Sequence, residues 1–268
     1  MPTVRLRDIE LYYEIHGEGK PLVLIQGLGL DSSAWLYQIP VLSQQHQVIC
    51  FDNRGIGRTD APATPYSTDQ MAEDVISLLD ALAIQHADIL GFSLGGCIAQ
   101  ALALNYPERV NRLILVSTAA QFPAITLQVL QVWLTMLQEI HSDSMNPETR
   151  LRAQLAWVFS NAFFQNSQQV EALVHDSLNY PYQPTVAGFS GQVAACVAHN
   201  LLKQLHQITA PTRVLVGAAD LLTPVELAET LSAALPNAEL QIIAGAGHNF
   251  FWEMPAAFNQ SILDFLSV

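Results

Sequence analysis

The sequence predicts an α/β protein: a mostly parallel sheet flanked by helices, with a helical insertion after the sixth strand. Three observations carry this. Short apolar runs bounded by Gly, Asp or Pro alternate with segments of helical spacing, the pattern of strands buried on both faces of a sheet. The alternation stops between residues 121 and about 207, where helical patterning continues without a strand-like run. It resumes after Pro211. The expected division is a core of residues 1–120 and 209–268 and a helical cap of residues 121–208, lying over the C-terminal edge of the sheet.

Taken in order, Tyr12, Tyr13 and Ile15 belong to a short strand of an opening β-meander, near the Gly-Glu-Gly turn at Gly17 to Gly19. Residues 21–25 and 47–51 are short, wholly or mainly apolar runs that suit buried strands. Residues 67–82 place Met71, Val75, Leu78, Leu79 and Leu82 at helical spacing, with Ser67 or Thr68 as the cap. Residues 87–90 read as a strand, and 94–106 as a helix that starts immediately after it and ends at Pro107. Residues 113–116, 213–216 and 240–243 are further strands. Residues 224–235 and Pro255–Leu266 are the helices that follow the last two.

Half of the 268 residues are apolar and 13% are charged, a core-rich globular composition. The longest apolar stretches are interrupted by Gln, Ser or Thr before they reach bilayer-spanning length. The first seven residues lack the apolar core of a signal peptide. A formal net charge of −13 repels phosphate backbones and anionic headgroups, which sets nucleic acid and membrane surfaces aside as partners. Solubility alone accounts for such a charge. Cys50, Cys97 and Cys196 are odd in number and have no metal-ligand spacing, so they read as reduced core residues of a cytoplasmic protein.

The chemistry centres on Gly91-Phe92-Ser93-Leu94-Gly95. Three such fixed residues arise by chance in roughly a tenth of chains of this length, so the pattern alone decides little. Its position decides more. It follows a strand and opens a helix, the setting of a nucleophile elbow. A sharp turn there exposes the serine hydroxyl, and the flanking glycines let neighbouring backbone pass. A serine hydroxyl needs a base to become a nucleophile. His248 follows the strand 240–243 through Gly245 and Gly247, on the same sheet edge as Ser93. Asp220 follows the strand 213–216 and is placed to orient the imidazole. No Asp or Glu lies between Ser117 and Glu139, which removes the competing position after the strand 113–116. The expected oxyanion donors are the backbone N–H groups of Leu94 and of Leu28, in the loop Gln26-Gly27-Leu28-Gly29.

These segments, with Asp52-Asn53-Arg54-Gly55-Ile56-Gly57, resemble the α/β-hydrolase superfamily, in the branch of esterases and lactonases similar to 3-oxoadipate enol-lactonase. The resemblance covers residues 1 to about 120 and 209–268. It implies the α/β-hydrolase fold, and hydrolysis through an acyl-enzyme with no metal or cofactor. It also implies that the Asp52 and Arg54 segment is mainly structural. One departure is Gln26, where many relatives carry His.

The substrate expected is a small-molecule ester or lactone. Aromatics of the cap, Trp133, Trp157, Phe159, Phe163 and Phe189 among them, together with Phe250, Phe251 and Trp252, suggest an apolar acyl pocket. Gly27, Trp157, His199 and Phe250 are the expected substrate contacts, His199 for a polar group. Arg150 and Arg152, the cap's only arginines, are candidates to attract an anionic substrate tail or a carrier protein. Two other readings stay open: an esterase of a carrier-bound acyl methyl ester (pimeloyl type), and a ligand receptor that keeps the triad with little turnover. Oligomeric state is not legible in the sequence.

Overall fold

The computed structural model describes residues 2–267; Met1 and Val268, the outermost residues of the expected core, lie outside the described residues. In chain order the strands are β1 (Thr3–Leu6), β2 (Ile9–His16), β3 (Lys20–Ile25), β4 (His46–Phe51), β5 (Ala87–Phe92), β6 (Val110–Val116), β7 (Thr212–Gly217) and β8 (Ala238–Ile243). The helices are α1 (Ile39–Leu42), α2 (Thr68–Ala81), α3 (Leu94–Asn105), α4 (Ala124–His141), α5 (Pro147–Val158), α6 (Asn161–Phe164), α7 (Ser167–Leu178), α8 (Val186–Ala198), α9 (Val225–Ala234), α10 (Phe250–Glu253) and α11 (Pro255–Leu266).

The strands form one sheet in the order β1-β2-β4-β3-β5-β6-β7-β8. β2 runs antiparallel to both β1 and β4, and every other neighbouring pair is parallel. Side chains alternate across it, as the two-residue period requires. Val23, Ile25, Ile89, Leu113, Leu115 and Val214 face one way, under α2, α3 and α9. Leu22, Leu24, Leu90, Ile114 and Leu215 face the other, against Trp35, Leu42, Phe258 and Ile262 of α1, α11 and their neighbourhood. Burying each of these aliphatic side chains stabilises the fold by about 1.5–3 kcal/mol. β5 lies between β3 and β6 and every one of its residues is buried, which is why its sequence is apolar apart from Asp88.

The strands from β3 onward run further than the residue pattern suggests, and two of the extensions are informative. β6 begins at Val110 rather than residue 113, because Asn111 and Arg112 are polar residues at the solvent end of a paired strand. β5 continues through Gly91 and Phe92, so that Ser93 stands directly at its end. Ser67 is the cap of α2, its hydroxyl accepting from the Gln70 N–H at 3.1 Å.

α4 to α8 all lie between β6 and β7, a helical insertion in the sheet's topology. α4 packs on α8 and α5, and α5 packs on α7. Its aromatic and aliphatic residues divide between two cores. Phe122, Leu130, Trp133, Phe189 and Val193 join the cluster above the sheet. Leu155, Phe159, Phe163, Val170 and Val174 form a separate cluster. Among the described residues no helix is long and apolar enough to cross a membrane. The parallel register aligns Ile25 with Gly91, Gly91 with Leu115, and Gly217 with Ile243. The loops after β3, β5, β7 and β8 therefore leave from one edge.

Candidate active site

Ser93 is the turn residue between β5 and α3, at φ 54° and ψ −115°. A left-handed serine of this kind costs on the order of 1–3 kcal/mol, so the surroundings must hold it. Its N–H donates to the Val116 carbonyl at 2.8 Å. Its own carbonyl accepts from the Gly96 N–H at 2.9 Å and from the Thr118 hydroxyl at 2.8 Å. The turn closes only over bare backbone. A Cβ on Gly91 would stand 2.2 Å from the Gly95 carbonyl oxygen, and one on Gly95 would stand 2.1 Å from that of Ile25. The Ser93 hydroxyl makes no capping bond to α3, so it is not an ordinary helix-cap serine.

That hydroxyl instead meets His248, with Oγ 3.1 Å from Nε2. On the other side of the ring, Nδ1 lies 2.8 Å from Asp220 Oδ2. Asp220 is itself fixed. Its Oδ1 accepts from the N–H groups of Leu222 at 2.9 Å and Thr223 at 2.8 Å. Its Oδ2 accepts from the Thr223 hydroxyl at 2.8 Å, and the same hydroxyl oxygen lies 3.1 Å from His248 Nδ1. All three members are nearly out of water, at 8%, 2% and 4% exposure for Ser93, His248 and Asp220. With Nδ1–H donated to the carboxylate, Nε2 is left as the acceptor for the serine proton. Thr223 escaped the sequence reading. The signal available for it was a hydroxyl residue three positions after the acid, where an aspartate commonly accepts from the following backbone.

Glu253 is a second residue the sequence did not single out. Its Oε1 accepts from the Gly247 N–H at 3.2 Å and from the Ser160 N–H at 3.0 Å. It thereby ties the His248 loop to the start of α6 in the insertion. Asn249 N–H adds a bond to the Val158 carbonyl at 2.8 Å.

The loop after β3 runs beside the elbow. A Cβ on Gly27 would stand 3.0 Å from the Phe92 ring and 3.2 Å from Ser93 Cβ, so glycine lets this backbone approach the serine. Among the described residues the Leu28 N–H has no hydrogen-bond acceptor. The Leu94 N–H, in the first turn of α3, has no carbonyl four residues back within its helix. Gln26 is fully buried; its Oε1 accepts from the Gly27 N–H at 3.3 Å, and its main-chain carbonyl accepts from Asn53 at 3.0 Å. Gln192 of α8 fixes the far side, accepting from the Gly29 N–H and donating to the Arg54 carbonyl, both at 2.9 Å. Asp52 accepts from Ser32 N–H and from Arg58, while Arg54 pairs with Asp74 and Asp8.

Ser93, His248 and Leu28 open on a cavity of about 900 Å³ beneath the insertion. Phe122, Trp133, Phe159, Phe163, Phe189 and Trp252 give it a largely apolar wall. Four expected contacts are not on that wall. Gly27 lies behind it, against the elbow. Trp157 is off it because Arg150, Leu151, Gln154, Leu155 and Val158 form the cavity face of α5, and Trp157 falls just past the Arg150 edge of that face, against the cluster above the sheet. Phe250 is fully buried on the opposite sheet face, packed edge-on against Phe258.

His199 is the fourth. It caps the C-terminal end of α8, is 3% exposed, and places Nδ1 3.2 Å from the Thr68 hydroxyl. Its Nε2 is buried without a hydrogen-bond partner among the described residues, and burial pushes its pKa down to about 4 from 6.5. The unfolded chain therefore takes up this proton first as the pH falls. Stability that is full above about pH 6.5 is lost as the pH drops towards 4, by on the order of 3 kcal/mol from this residue. Urea unfolding of the parent and of His199→Asn, at neutral pH and near pH 4.5, should give the smaller acid loss in the variant. Equal losses would place the acid sensitivity elsewhere.

Arg152 and Arg150 do not form a basic patch. Arg152 is half-exposed and meets both Glu148 and Glu171, at 2.8 and 2.7 Å. Arg150 is buried and lines the cavity. One group, Glu14, His16 and Cys50, brings three possible metal-ligating atoms within 4.8 Å. Its carboxylate is already engaged by Tyr12 and His16, and burial pushes the Cys50 thiol well up, so it reads as a hydrogen-bonded cluster between β2 and β4.

The family model described as the alpha/beta hydrolase fold matches residues 20–255. The chain is 32% identical over 263 residues to 3-oxoadipate enol-lactonase 2 of Acinetobacter baylyi, covering 97% of this chain and 94% of that protein. The crystal structure of the enol-lactonase from Burkholderia xenovorans LB400 aligns with a TM-score of 0.88 at 28% identity, covering 100% of both chains. Est816, described as an N-acyl homoserine lactone degrading enzyme, aligns with a TM-score of 0.81 at 29% identity, over 98% of this chain and 100% of that one.

Proposed function

We infer that this chain, which belongs to the alpha/beta hydrolase fold family, cleaves a carboxylic ester or lactone of a small to medium apolar acyl substrate through an acyl-enzyme on Ser93. The observation that carries this reading is the relay from Ser93 Oγ to His248 Nε2 to Asp220, at 3.1 and 2.8 Å, at the mouth of an aromatic-walled cavity. We read residues 121–208 as the cap that sets specificity.

In the proposed reaction, the substrate carbonyl carbon approaches Ser93 Oγ. His248 Nε2 takes the hydroxyl proton as the new C–O bond forms. The negative charge moves to the carbonyl oxygen, between the N–H groups of Leu28 and Leu94. The imidazolium, held by Asp220, returns the proton to the leaving alkoxide as the scissile C–O bond breaks. A water then repeats the sequence on the acyl-enzyme, and Ser93 is released. In a lactone the leaving alkoxide stays tethered to the acyl group. Every proton moves through His248, so the chemistry needs no further group.

The closing of Arg152 by two glutamates and the burial of Arg150 leave neither as a docking point for an acidic carrier protein, which favours a free small-molecule substrate. A panel of p-nitrophenyl esters and of lactones, graded in acyl length, tests the reading. Turnover with kcat/KM above about 10⁴ M⁻¹ s⁻¹ is expected for part of the panel. Saturable binding of those compounds without product release would overturn it in favour of a ligand receptor.

A further inference from the structure

Arg150 stands on the cavity wall in surroundings that do not match its charge. It is 9% exposed, and its Nε–H is buried and bonded to nothing. Among the described residues no carboxylate or carbonyl meets its guanidinium. The Phe189 ring, which itself lines the cavity, has its centroid 5.7 Å from the guanidinium carbon. Two residues along the same helix, the half-exposed Arg152 has two glutamates. The chain thus pairs the arginine that water would satisfy and leaves the buried one without a partner.

A guanidinium taken out of water without a counter-charge burdens the fold, and buried charges are ordinarily paired. The other acids of the cavity wall do not serve it. Asp31 accepts from Ser33 and from the Tyr180 hydroxyl at 2.6 Å, and Asp176 is exposed. We propose that Arg150 is an anion-binding subsite of the cavity, and that the substrate is an ester or lactone carrying a free carboxylate at the end of a short apolar chain. The inference rests on the hydrolase reading above and adds the chemical class of its substrate.

A monocarboxylate fits better than a phosphate. The planar fork of one guanidinium matches one carboxylate through two parallel N–H···O bonds. A dianion would need a second cation, and among the described residues Arg150 is the only arginine or lysine on this wall. The apolar wall between Arg150 and Ser93 suits a methylene chain. Burial lowers the Arg150 pKa to about 10, which leaves it charged at neutral pH.

Matched substrates test this: monomethyl glutarate, adipate and suberate against methyl pentanoate, hexanoate and octanoate. The parent should prefer the half-esters in kcat/KM. Arg150→Met should lower that preference by about 100-fold, leave the neutral esters within a few-fold, and keep Ser93 labelling by a fluorophosphonate. Its melting temperature should hold or rise, since an uncompensated buried charge is removed. Arg150→Lys should retain part of the preference. An unchanged preference in Arg150→Met would overturn the subsite. So would joint loss of both activities and of labelling, which would make Arg150 structural. If the parent cleaves neither series, the hydrolase reading fails on its own terms, and calorimetric titration with adipate still reads the subsite. Binding at least tenfold weaker in Arg150→Met upholds it, and equal binding overturns it.

Discussion

Replacing Ser93 with alanine is expected to lower ester turnover by on the order of 10⁶-fold while leaving the fold intact. The size follows from what the hydroxyl does and does not hold. Its hydrogen-bond partner is His248 Nε2 at 3.1 Å, and it makes no capping bond to α3. The anchors of the strained turn are backbone groups and Thr118, all of which alanine keeps. Stability should therefore change by less than about 1 kcal/mol. The covalent route disappears, because no other nucleophile stands at that point of the elbow. Any residual rate would come from the N–H groups of Leu28 and Leu94 and from binding in the cavity. Steady-state hydrolysis of p-nitrophenyl butyrate, with mass spectrometry for an acyl adduct, measures both. Residual turnover within about tenfold of the parent would remove Ser93 from the reaction.

How far the sequence revealed this site depended on whether a residue's role is set by chain order or by packing. Ser93, Asp220 and His248 follow strand ends, and a parallel sheet brings its strand ends to one edge whatever the side chains around them do. Their meeting was therefore legible. The cavity wall was not, because it depends on how helices rotate about their axes. On α5 the cavity face includes Leu151 and Leu155, and Trp157, the larger and more conspicuous residue, falls just past its edge and packs on the core. Phe250 follows His248 in sequence, yet α10 carries it under the sheet's other face. His199 reads as a polar probe of the cavity and is a neutral, buried cap instead. Arg150 carried its signal in composition, as one of two arginines in a Gln-rich stretch. Which of the two is buried without a partner only the packing could decide.

Replacing His248 with alanine should slow fluorophosphonate labelling of Ser93 by about 10⁵-fold or more, and Asp220→Asn should cost less, on the order of 10⁴-fold in turnover. The inequality has a structural cause. Labelling requires the Ser93 proton to leave as the hydroxyl attacks phosphorus, and among the described residues His248 is the base within reach of it. Alanine removes that acceptor entirely. Asp220 acts one step away, by holding Nδ1 and stabilising the charged ring. When its charge is removed the ring does not lose every partner, because the Thr223 hydroxyl remains 3.1 Å from Nδ1. Asparagine also keeps an oxygen for the N–H groups of Leu222 and Thr223, so the loop that presents Thr223 should persist. Adding Thr223→Val to Asp220→Asn should then cost a further factor of about 10, more than Thr223→Val costs alone. Labelling rates for the two single variants and the double variant, taken with intact-mass detection of the Ser93 adduct, measure this coupling. Unchanged labelling in His248→Ala would refute the base assignment, and strict additivity of the other two would show that Thr223 does not share the ring with Asp220.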